Sequence, residues 1–407
     1  MSSALSHIRV LELSRILAGP WAGQMLADLG AEIIKVEKPI QGDDTRHWGP
    51  PFLNNKTAEN PTESAYFLSA NRGKQSITID IRHQEGQAII HQLIESCDVL
   101  IENFKVGSLV KYHLDYASLS AINPKLIYCS ITGFGQDGPY AQRAGYDFLL
   151  QGMGGLMSVT GEPDHLPGGG PQKVGVALTD ILTGMYATTA IQAAIIECEK
   201  SGLGQHIDLA LLDVQVACLA NQGMNYLVSQ DTPQRMGNAH PNIVPYQTFQ
   251  TADGFIILTI GNDSQFADFC QVANCQTLIH DPHFATNQAR VRNREVVIQR
   301  LTNIIKAKKS EFWLQQLEIK GVPCGPINDI AQVFENPQIK HRKMLGELTH
   351  PVNGKVPTVA NPINFSRTPI VYHQAPPNLG EHTENVLIEL LGYDTSTVSK
   401  LRESKII

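Results

Sequence analysis

The sequence predicts an α/β protein: a doubly wound, Rossmann-like parallel sheet in a large domain, and a smaller α+β domain. Short apolar runs typical of strands alternate with helix-length amphipathic segments over about the first half of the chain. The pattern then changes near residue 228 to a hairpin followed by helices. The 407 residues, with 33 glycines and 23 prolines, are enough for two or three domains of a loop-rich enzyme.

The chain opens with a strand–helix–strand unit. Residues 8–13 are predicted to be a strand, 21–29 a helix and 32–37 a second strand. In such a unit the first loop and the start of the helix can bind an anion. The loop lacks the G-x-G-x-x-G spacing of dinucleotide-binding folds, although Glu37, at the end of the second strand, leaves a dinucleotide site as an alternative.

The same alternation continues along the chain. Further strands are predicted at 76–81, 98–102, 125–131 and 206–211, and further helices at 85–96, 145–153 and 213–227. Ligands of a doubly wound sheet gather at the carboxyl ends of its strands. Four cations near those ends are therefore candidate anion contacts, with an ordinary solvated position as the alternative for each: Arg72, Lys74, Arg82 and Lys111.

The domain boundaries follow from linker-like stretches. We predict that residues 1–227 form the first part of the large domain, 228–335 the small α+β domain, and 336–407 the return to the large domain. The small domain is expected to contain a hairpin (246–249 with 255–260) and two helices (293–306 and 309–320). Within the large domain, residues 54–63 are expected to be a surface excursion.

Asp180 is the only charged residue between Val174 and Ile196. Because burying an unpaired carboxylate is expensive, such an aspartate caps a helix, is paired, or takes part in chemistry. Aspartate is a favoured N-cap, and residues 181–196 are predicted to be a helix that Asp180 would start. The stretch is long enough to span a membrane, but its Asp, Gln and Thr residues and the lack of a flanking basic cluster argue against a span.

Composition and charge exclude several classes of protein. The net charge of −7 and the absence of a basic run argue against a nucleic-acid surface. The seven cysteines are scattered without a C-x-x-C, which fits buried thiols in a reducing compartment and indicates neither a zinc site nor a disulfide framework. A strand begins by Ile8, leaving no room for a signal or transit peptide. We therefore expect a cytoplasmic protein that binds neither nucleic acid nor a membrane.

Several motifs, in order along nearly the whole chain, resemble those of the family III CoA-transferases. They are V-L-E-L-S-R-I-L-A-G-P from Val10, G-A-E-I-I-K-V-E from Gly30, G-D-D-T-R from Gly42, E-N-F from Glu102, G-F-G-Q-D-G-P from Gly133, R-A-G-Y-D from Arg143, V-G-V-A-L-T-D from Val174, G-V-P-C-G-P from Gly321 and L-G-E-H-T from Leu379. Within the family, the W-G-P-P-F, Y-C-S-I-T-G and I-V-P-Y-Q stretches are most similar to the succinyl-CoA:glutarate branch, which moves CoA between short dicarboxylic acids.

The resemblance implies a nucleophile and a CoA site. Asp180 matches the catalytic aspartate, which would form an aspartyl anhydride and then an aspartyl-CoA thioester. No metal and no permanently bound cofactor would be needed, since CoA is itself a substrate, and a low pKa would suit an attacking carboxylate. The contacts of the large, CoA-binding domain to CoA would be Leu17, Ala18, Lys38, Ile79, Asp80, Arg82, Asn103, Phe104, Lys111 and, replacing a family lysine, Arg143.

The resemblance also places the acid substrate. Arg72 would clamp the distal carboxylate of a dicarboxylate, because a guanidinium can bind it bidentately. The other positions expected near the reacting centre are Arg46, Tyr146, Asp147, Gly261 and Asn262. The family's formyl-CoA branch has a glutamine where this chain has Leu17, which argues against formate and oxalate as substrates.

The resemblance leaves two alternative functions and implies an oligomeric state. The α-methylacyl-CoA racemases share the fold, but Tyr146 stands where they have a catalytic histidine, and a tyrosine is a poor base at neutral pH. A non-catalytic acyl-CoA-binding protein, in which Asp180 is only a helix cap, is the other alternative. The resemblance also implies an interlocked homodimer. The partners of this chain would be an acyl-CoA and a free carboxylic acid.

Overall fold

The computed structural model describes residues 3–53 and 63–407. The chain divides into two compact units. Unit 1 contains the described residues of Met1–Leu156, Val174–Gly223 and Pro337–Ile407. Unit 2 contains Met157–Lys173 and Met224–Asn336. The predicted surface excursion at 54–63 lies outside the described residues, apart from Glu63.

The first segment of unit 2 had no counterpart in the sequence prediction, whose small domain ran from 228 to 335 only. Met157–Lys173 joins that unit through Arg235, which donates from Nη1 to the Ser158 carbonyl at 3.2 Å and forms an ion pair with Asp164. Because Arg235 lies far along the chain from Ser158 and Asp164, no local pattern in the sequence indicates that they pair. The main segment of unit 2, Met224–Asn336, has ends close to the predicted boundaries.

Unit 1 is built on a six-stranded parallel sheet. Its strands are β1 (Arg9–Glu12), β2 (Glu32–Glu37), β3 (Lys74–Thr78), β4 (Val99–Glu102), β5 (Ile127–Thr132) and β6 (His206–Ala210). They lie in the order β3-β2-β1-β4-β5-β6, and every neighbouring pair is parallel. This is the doubly wound order, and its switch point, between β1 and β4, is where such sheets bind ligands. The α/β class with a parallel sheet is therefore confirmed.

Helices precede, connect and follow these strands along the chain, and those that belong to unit 1 cover the sheet. In chain order they are α1 (Ala18–Asp28), α2 (Ala65–Ala70), α3 (Gln84–Glu95), α4 (Tyr116–Ile122), α5 (Asp147–Met153), α6 (Leu156–Val159), α7 (Leu178–Ser201), α8 (Leu211–Ala217) and α9 (Ala220–Ser229). Short 3-10 helices lie at Asp44–His47 and Val110–Tyr112. The helix predicted at 213–227 is two helices, α8 and α9, because the chain turns at Cys218, and Ala220 takes a φ of +47°.

Adjacent residues of each central strand enter different cores. Leu11, Ile34 and Leu100 pack in one apolar cluster with α3 and the C-terminal tail, whereas their neighbours Val10 and Ile33 pack in a second cluster with α1 and α7. Side chains alternate across a strand, so these two clusters lie on the two faces of the sheet. A parallel sheet buried on both faces requires the near-continuous apolar strands seen in the sequence.

Helix α7 carries Asp180 but is not capped by it. The helix begins at Leu178 with Ala177 in the N-cap position, so Asp180 lies in the first turn and the predicted N-cap role was wrong. Among the described residues, α7 is the one helix long and apolar enough to cross a membrane. This is weak support for a span, because a core helix of a soluble protein has the same properties, and Ile191 of α7 is fully buried in the sheet core.

Unit 2 combines a small antiparallel sheet with helices. Its strands are β7 (Tyr246–Gln250), β8 (Phe255–Thr259) and β9 (Cys324–Gly325), so the predicted hairpin is confirmed. Its helices after α9 are α10 (Asp263–Val272), α11 (Asn287–Arg292), α12 (Arg294–Lys306), α13 (Ser310–Ile319) and α14 (Ile330–Glu335), with a 3-10 helix at Gln276–Ile279. Trp313 and Phe269 stack at the centre of its core.

The C-terminal part of the chain returns to unit 1. It contains an antiparallel pair of strands, β10 (Leu345–His350) and β11 (Gly354–Val359). Its helices are α15 (Pro337–His341), α16 (Thr383–Asn385) with a π-helix at Val386–Leu390, and α17 (Thr395–Glu403). The backbone N–H of Asp80, one of the predicted CoA contacts, donates to the carbonyl of Ile406 at 2.7 Å. The tail therefore supports the loop that follows β3.

Candidate active site

The loop between β1 and α1 is held in a strained conformation. Ile16 has a φ of +73°, in the left-handed region that β-branched residues rarely adopt. Both carboxylate oxygens of Asp43 accept from the Ile16 N–H at 3.3 Å. The Asn103 side chain binds the backbone of Arg15 twice, accepting from its N–H at 2.9 Å and donating to its carbonyl at 2.7 Å. The loops after β1 and β4 are thereby tied together at the switch point of the sheet.

A cavity of about 350 Å³, called here the cationic cavity, opens at the carboxyl ends of β1, β2 and β3. Apolar side chains line part of it: Leu13, Val36, Ile79, Ile81 and Phe104. Four cations also line it: Arg15, Lys38, Arg82 and Lys111. The structure brings together here six of the residues expected to contact CoA: Lys38, Ile79, Asp80, Arg82, Phe104 and Lys111.

The cations of this cavity differ in how far they are neutralised. Arg82 binds Asp80 through Nε at 2.9 Å and Nη2 at 2.5 Å, and these hydrogen bonds lower the pKa of Asp80 to about 2. Arg15 pairs with Asp44 at 2.6 Å. Within the described residues, Lys38 and Lys111 make no ion pair: Lys38 Nζ donates to Gln41 at 2.6 Å, and Lys111 Nζ lies 4.7 Å from the Tyr112 ring centroid. The two lysines are therefore the cations most open to a phosphate.

A second cavity of about 290 Å³ contains Asp180 and is called here the aspartate cavity. Six further predicted residues line it: Leu17, Ala18, Asn103, Phe104, Arg143 and Tyr146. Arg15 and Phe104 line both cavities, so the two adjoin. The Glu102 carboxylate accepts from the Phe104 N–H at 2.7 Å, which fixes the turn that separates them. The group of predicted CoA contacts is thus divided between two connected cavities.

One wall of the aspartate cavity depends on two facing glycines. A Cβ on Gly133 would lie 2.7 Å from the Cα of Gly145, so neither position can carry a side chain without displacing the backbone. Both glycines line the cavity. Between them in sequence, the Arg143 guanidinium stacks on Tyr140, 4.6 Å from its ring centroid. Close backbone packing therefore explains why glycine occupies position 133 in G-F-G-Q-D-G-P and position 145 in R-A-G-Y-D.

Asp180 is positioned by a network of hydrogen bonds to the first turn of α7. Asp147, at the start of α5, accepts from the backbone N–H groups of Thr179 at 2.8 Å and Asp180 at 3.2 Å, and so satisfies two donors of the helix N-terminus. Gln151 donates to the other oxygen of Asp147 at 2.7 Å and accepts from the Val174 N–H at 2.9 Å. The predicted site residue Asp147 is therefore a capping residue for the helix that carries Asp180.

A second buried glutamine supports the same turn from α8. The Thr179 hydroxyl donates to Gln215 at 2.7 Å, and the side chains of Gln151, Thr179 and Gln215 are essentially inaccessible to solvent. The sequence analysis did not identify these three residues. The only signal was local: Gln151 follows Asp147 by one helical turn, a spacing at which side chains meet. The contact from Gln215 has no such signal.

Burial raises the pKa of Asp180 to about 7, and the like charge of Asp147 acts in the same direction. The low pKa expected for an attacking carboxylate was therefore wrong for the unliganded chain. Tyr66, on α2, also responds to this negative charge: burial first, then Asp180 and Asp147, raise the pKa of its phenol to about 12. Tyr66 thus lies near the two aspartates as a neutral hydroxyl.

Two arginines expected at the substrate are bound elsewhere. Arg72 is buried and binds both oxygens of Asp28, through Nε at 2.8 Å and Nη2 at 2.6 Å, and it also donates to the Val359 carbonyl at 2.9 Å. It lines neither cavity. In this conformation its guanidinium is satisfied by protein groups and is not open to a carboxylate substrate. The expected clamp at Arg72 is corrected to a structural tie between α1 and the C-terminal segment.

Arg46 is corrected in the same way. Its guanidinium binds Glu37 through Nε at 2.8 Å and Nη2 at 2.7 Å, and Glu63 through Nη1 at 3.0 Å. Ser76 donates to Glu37 at 2.7 Å, and the Asp43 N–H donates to it at 2.9 Å. Glu37 is therefore fully occupied by protein donors, which removes the basis for the dinucleotide alternative.

Lys74 was expected at the rim of the sheet but is completely buried. It contacts Glu12 at 2.9 Å, and Lys35 contacts the same carboxylate at 3.0 Å. Burial lowers the pKa of Lys74 to about 8 although Glu12 acts against it. Burial would also lower the pKa of Lys35, but Glu12 and Asp43 outweigh it and hold that pKa above its usual value. These charges lie on three adjacent strands under the strained loop at Ile16.

Gly261 and Asn262 belong to unit 2. Asn262 is the N-cap of α10 and accepts from the Gln265 N–H at 2.9 Å, while the Gly261 N–H donates to the Gln265 side chain at 2.8 Å. The turn therefore has a structural role within its own unit. Its expected position beside the reacting centre stays a prediction.

The sheet and its cavities define a class of protein. No group of three metal-binding side chains occurs among the residues that the structure describes. Cations and apolar side chains at the switch point, next to a capped carboxylate, suit an α/β enzyme that acts on an anionic substrate with a long apolar part.

Comparison with known proteins identifies the family. The profile described as CoA-transferase family III matches residues 5–383. The chain is 54% identical over 387 residues to the succinate–glutarate CoA-transferase of Agrobacterium fabrum, covering 95% of each chain. It is 43% identical over 403 residues to the human succinyl-CoA:glutarate CoA-transferase, covering 99% of this chain and 90% of that protein. The protein belongs to the family III CoA-transferases.

Solved structures agree with this assignment. A CAIB/BAIF family protein from Brucella suis superposes with a TM-score of 0.83 at 51% sequence identity, covering 96% of this chain and all of that one. The Rv3272 protein of Mycobacterium tuberculosis gives a TM-score of 0.81 at 28% identity, covering 94% of this chain and 99% of that one. The fold is therefore shared over almost the whole length.

Proposed function

We propose that this enzyme transfers CoA from succinyl-CoA to glutarate or a similar short dicarboxylate, with Asp180 as the nucleophile. The observation that carries the proposal is the placement of Asp180 in a cavity that adjoins the cationic cavity. The activities named for the relatives at 54% and 43% identity support the choice of donor and acceptor. The cavities have room for parts of a CoA thioester and a small acid, and they connect at Arg15 and Phe104.

The proposed reaction keeps an activated acyl bond at every step. The Asp180 carboxylate attacks the thioester carbon, the CoA thiolate leaves, and an aspartyl–succinyl anhydride forms. The thiolate then attacks the aspartyl carbon of that anhydride, which gives an aspartyl-CoA thioester and releases succinate. The acceptor carboxylate attacks this thioester, the thiolate leaves, and a second anhydride forms. The thiolate finally attacks the acceptor's acyl carbon, giving the new acyl-CoA and the free Asp180 carboxylate.

The residues of the site have distinct parts in this proposal. Lys38 and Lys111 would bind phosphate groups of CoA, with Arg82 and Arg15 adding positive charge already partly neutralised by Asp80 and Asp44. Phe104, which lines both cavities, would contact the apolar part of CoA on its way to Asp180. Asp147 and the buried glutamines would hold the nucleophile in place, which is the orientation effect that such a reaction requires.

The test combines product analysis with a variant. Purified protein is incubated with succinyl-CoA and a panel of mono- and dicarboxylic acids, and new CoA thioesters are identified by mass spectrometry. We expect glutaryl-CoA or a close homologue, and a loss of about 10³-fold or more in Asp180→Asn. The matched control is Asp213→Asn, which removes an exposed carboxylate from the first turn of α8 and should keep full activity.

Other outcomes would redirect the assignment. Full turnover in Asp180→Asn would remove Asp180 as the nucleophile. If no acid is converted but a chiral 2-methylacyl-CoA loses its stereochemistry, the enzyme is a racemase of the same fold. With succinyl-CoA alone, the wild-type protein should carry CoA as a covalent thioester on the peptide that contains Asp180, and absence of this adduct during active turnover would contradict the covalent route.

We infer that the active form is a homodimer. Several large apolar side chains of α7 are exposed in the single chain: Met185 and Tyr186 at 46% and Ile196 at 56%. A second copy that covers this face would bury apolar surface that water otherwise contacts. The interlocked arrangement implied by the family resemblance, and a cytoplasmic location, stay predictions.

A further inference from the structure

Helix α10 in unit 2 ends in a complete Schellman motif. Asn274 adopts the left-handed conformation at φ +53°, just after the C-cap residue Ala273. The Asn274 N–H donates to the Gln271 carbonyl at 3.3 Å, and the Cys275 N–H donates to the Cys270 carbonyl at 2.9 Å. These are the two backbone bonds that define the motif.

This motif brings two particular side chains together. The last residue of a Schellman motif commonly makes an apolar contact with the residue whose carbonyl it binds. Here those positions hold Cys275 and Cys270, so the backbone bond between them places their two thiols side by side. Both lie at the core of unit 2, with Cys270 fully buried and Cys275 partly accessible to solvent. The backbone therefore presents two neighbouring thiols, one of which a small reagent can reach.

The two thiols are chemically unequal. The neighbouring Cys270 thiol lowers the pKa of Cys275 below its usual range, whereas the neighbouring Cys275 thiol and then burial raise the pKa of Cys270. Cys275 is therefore the more acidic thiol of the pair, and its thiolate is the form that reacts with oxidants. Burial raises the pKa of each of the other five cysteines: Cys97, Cys129, Cys198, Cys218 and Cys324.

We propose that Cys270 and Cys275 form a redox-sensitive pair that closes to a disulfide on reaction with a hydroperoxide. The Cys275 thiolate attacks the peroxide oxygen and becomes a sulfenic acid, and hydroxide leaves. The Cys270 sulfur then attacks the sulfenic sulfur, and its proton leaves with the hydroxyl group as water. The two sulfurs lose two electrons, and hydrogen peroxide is reduced to two molecules of water once the hydroxide takes up the proton that Cys275 lost on ionisation. The disulfide joins residues that the helix end already holds side by side, so it closes without a change of fold.

The test oxidises the folded full-length protein with hydrogen peroxide at a small molar excess. Free thiols are then alkylated, and peptides are mapped by mass spectrometry with and without reduction. We expect a Cys270–Cys275 disulfide that forms faster than any oxidation of the other five cysteines, that is reversed by dithiothreitol, and that raises the melting temperature of the oxidised protein. Sulfonic acid at Cys275 with Cys270 still free, or oxidation spread evenly over the cysteines, would overturn the proposal.

Matched variants keep the result interpretable. Cys275→Ser should abolish the disulfide and leave Cys270 unreactive, because the nucleophile is gone. Cys270→Ser should instead accumulate the sulfenic acid at Cys275, detected with a dimedone probe. Cys324→Ser removes another partly buried cysteine of unit 2 and should leave the disulfide unchanged. A circular dichroism spectrum like that of the wild type confirms that each variant is folded, and loss of the disulfide in Cys324→Ser would contradict the assignment.

Discussion

Two opposing effects act on Asp180. Its position in the first turn of α7 places it near the positive end of the helix dipole, which favours the carboxylate by about 0.3–1 kcal/mol. Burial and the charge of Asp147 act in the other direction and raise its pKa from 3.8 to about 7, a difference on the order of 4 kcal/mol. The effect of burial on the pKa of Asp180 is therefore larger than the effect of the helix dipole. Asp180 is therefore about half protonated near neutral pH.

This balance predicts the acid limb of the pH profile. Because only the carboxylate can attack, we expect turnover to rise with pH through a single ionisation near 7 and to become flat above it. Asp147→Asn keeps an acceptor for the Thr179 and Asp180 N–H groups but removes the like charge, so it should move the midpoint to lower pH. Values of kcat/KM for succinyl-CoA from pH 5 to 9 measure both midpoints, because kcat/KM reports the ionisations of the free enzyme. An unchanged midpoint in Asp147→Asn would show that Asp147 has no electrostatic influence on the nucleophile.

The hydrogen bonds of Gln151 predict a second effect on Asp180. Gln151→Leu leaves Asp147 and the Val174 N–H without their partner, so we expect kcat to fall about 10-fold or more while the KM for succinyl-CoA changes little. Gln151→Glu places a further carboxylate beside Asp147, and the acid limb should move to higher pH. Steady-state kinetics over the same pH range separate these changes.

The control for Gln151 is Thr183, which lies on α7 one turn after Thr179. Thr183 donates only to the Thr179 carbonyl of its own helix, at 2.7 Å, so Thr183→Val removes a buried hydrogen bond of the same helix without touching Asp147. We expect its midpoint to equal that of the wild type. A midpoint in Thr183→Val that moves as far as in Gln151→Glu would point to a general loosening of α7 in place of the specific contact.

At the level of elements, β1, β2 and β3 are joined by charges as well as by backbone hydrogen bonds. Glu12 on β1 contacts Lys35 on β2 and Lys74 on β3, and all three side chains are inaccessible to solvent. Lys74 also donates to the Pro20 carbonyl in α1 at 2.8 Å, and Lys35 donates to the Ser14 carbonyl at 2.9 Å. The network therefore connects the sheet to the loop and helix that border the aspartate cavity.

Breaking this network should be strongly destabilising. Glu12→Gln keeps the shape but leaves the buried ammonium group of Lys74 without its carboxylate and Lys35 with Asp43 alone, so we expect a loss of about 3–5 kcal/mol in the free energy of unfolding. Chemical denaturation monitored by circular dichroism measures this loss in the free energy of unfolding. Glu32→Gln is the matched control, because it breaks the more exposed pair with Arg9 on the same two strands and should lose no more than about 1 kcal/mol. Equal losses in the two variants would contradict a special role for the buried charges.

At the scale of the whole molecule, the longest helix leaves part of its apolar surface uncovered. Helix α7 of unit 1 has a buried face on the sheet and a second face with exposed apolar side chains. A helix that is apolar on most of its surface is normally buried on most of its surface. The single chain therefore leaves α7 incompletely covered.

That exposed face predicts the oligomeric state. We expect the protein to have the mass of a dimer in size-exclusion chromatography with light scattering. Met185→Lys should shift the equilibrium towards the monomer, because it would bury an ammonium group against apolar surface. Ile319→Lys, at an exposed apolar position at the end of α13 in unit 2, is the control and should leave the dimer intact. A monomeric wild type, or dissociation by both variants alike, would contradict α7 as the interface.

Patterns within the sequence were sufficient to predict the parallel sheet, the helix α7 and the protein family. Alternating strands and helices predicted the parallel sheet, the apolar run predicted α7, and the ordered motifs predicted a family III CoA-transferase with Asp180 at its centre. These features repeat at short spacing or are preserved as local strings. The same reasoning assigned Leu17, Ala18, Lys38 and Phe104 to a CoA site, and the structure places them around two adjoining cavities.

Only the tertiary structure decided which charges are free and which are bound. Arg46 and Arg72 were expected at the substrate and Lys74 at the rim of the sheet, yet each is buried against a carboxylate that lies elsewhere in the chain. The pKa of Asp180 and the support from Gln151 and Gln215 likewise depend on neighbours brought together by folding. The physical reason is that periodicity and propensity act between near neighbours along the chain, whereas burial and electrostatic pairing depend on distance in space.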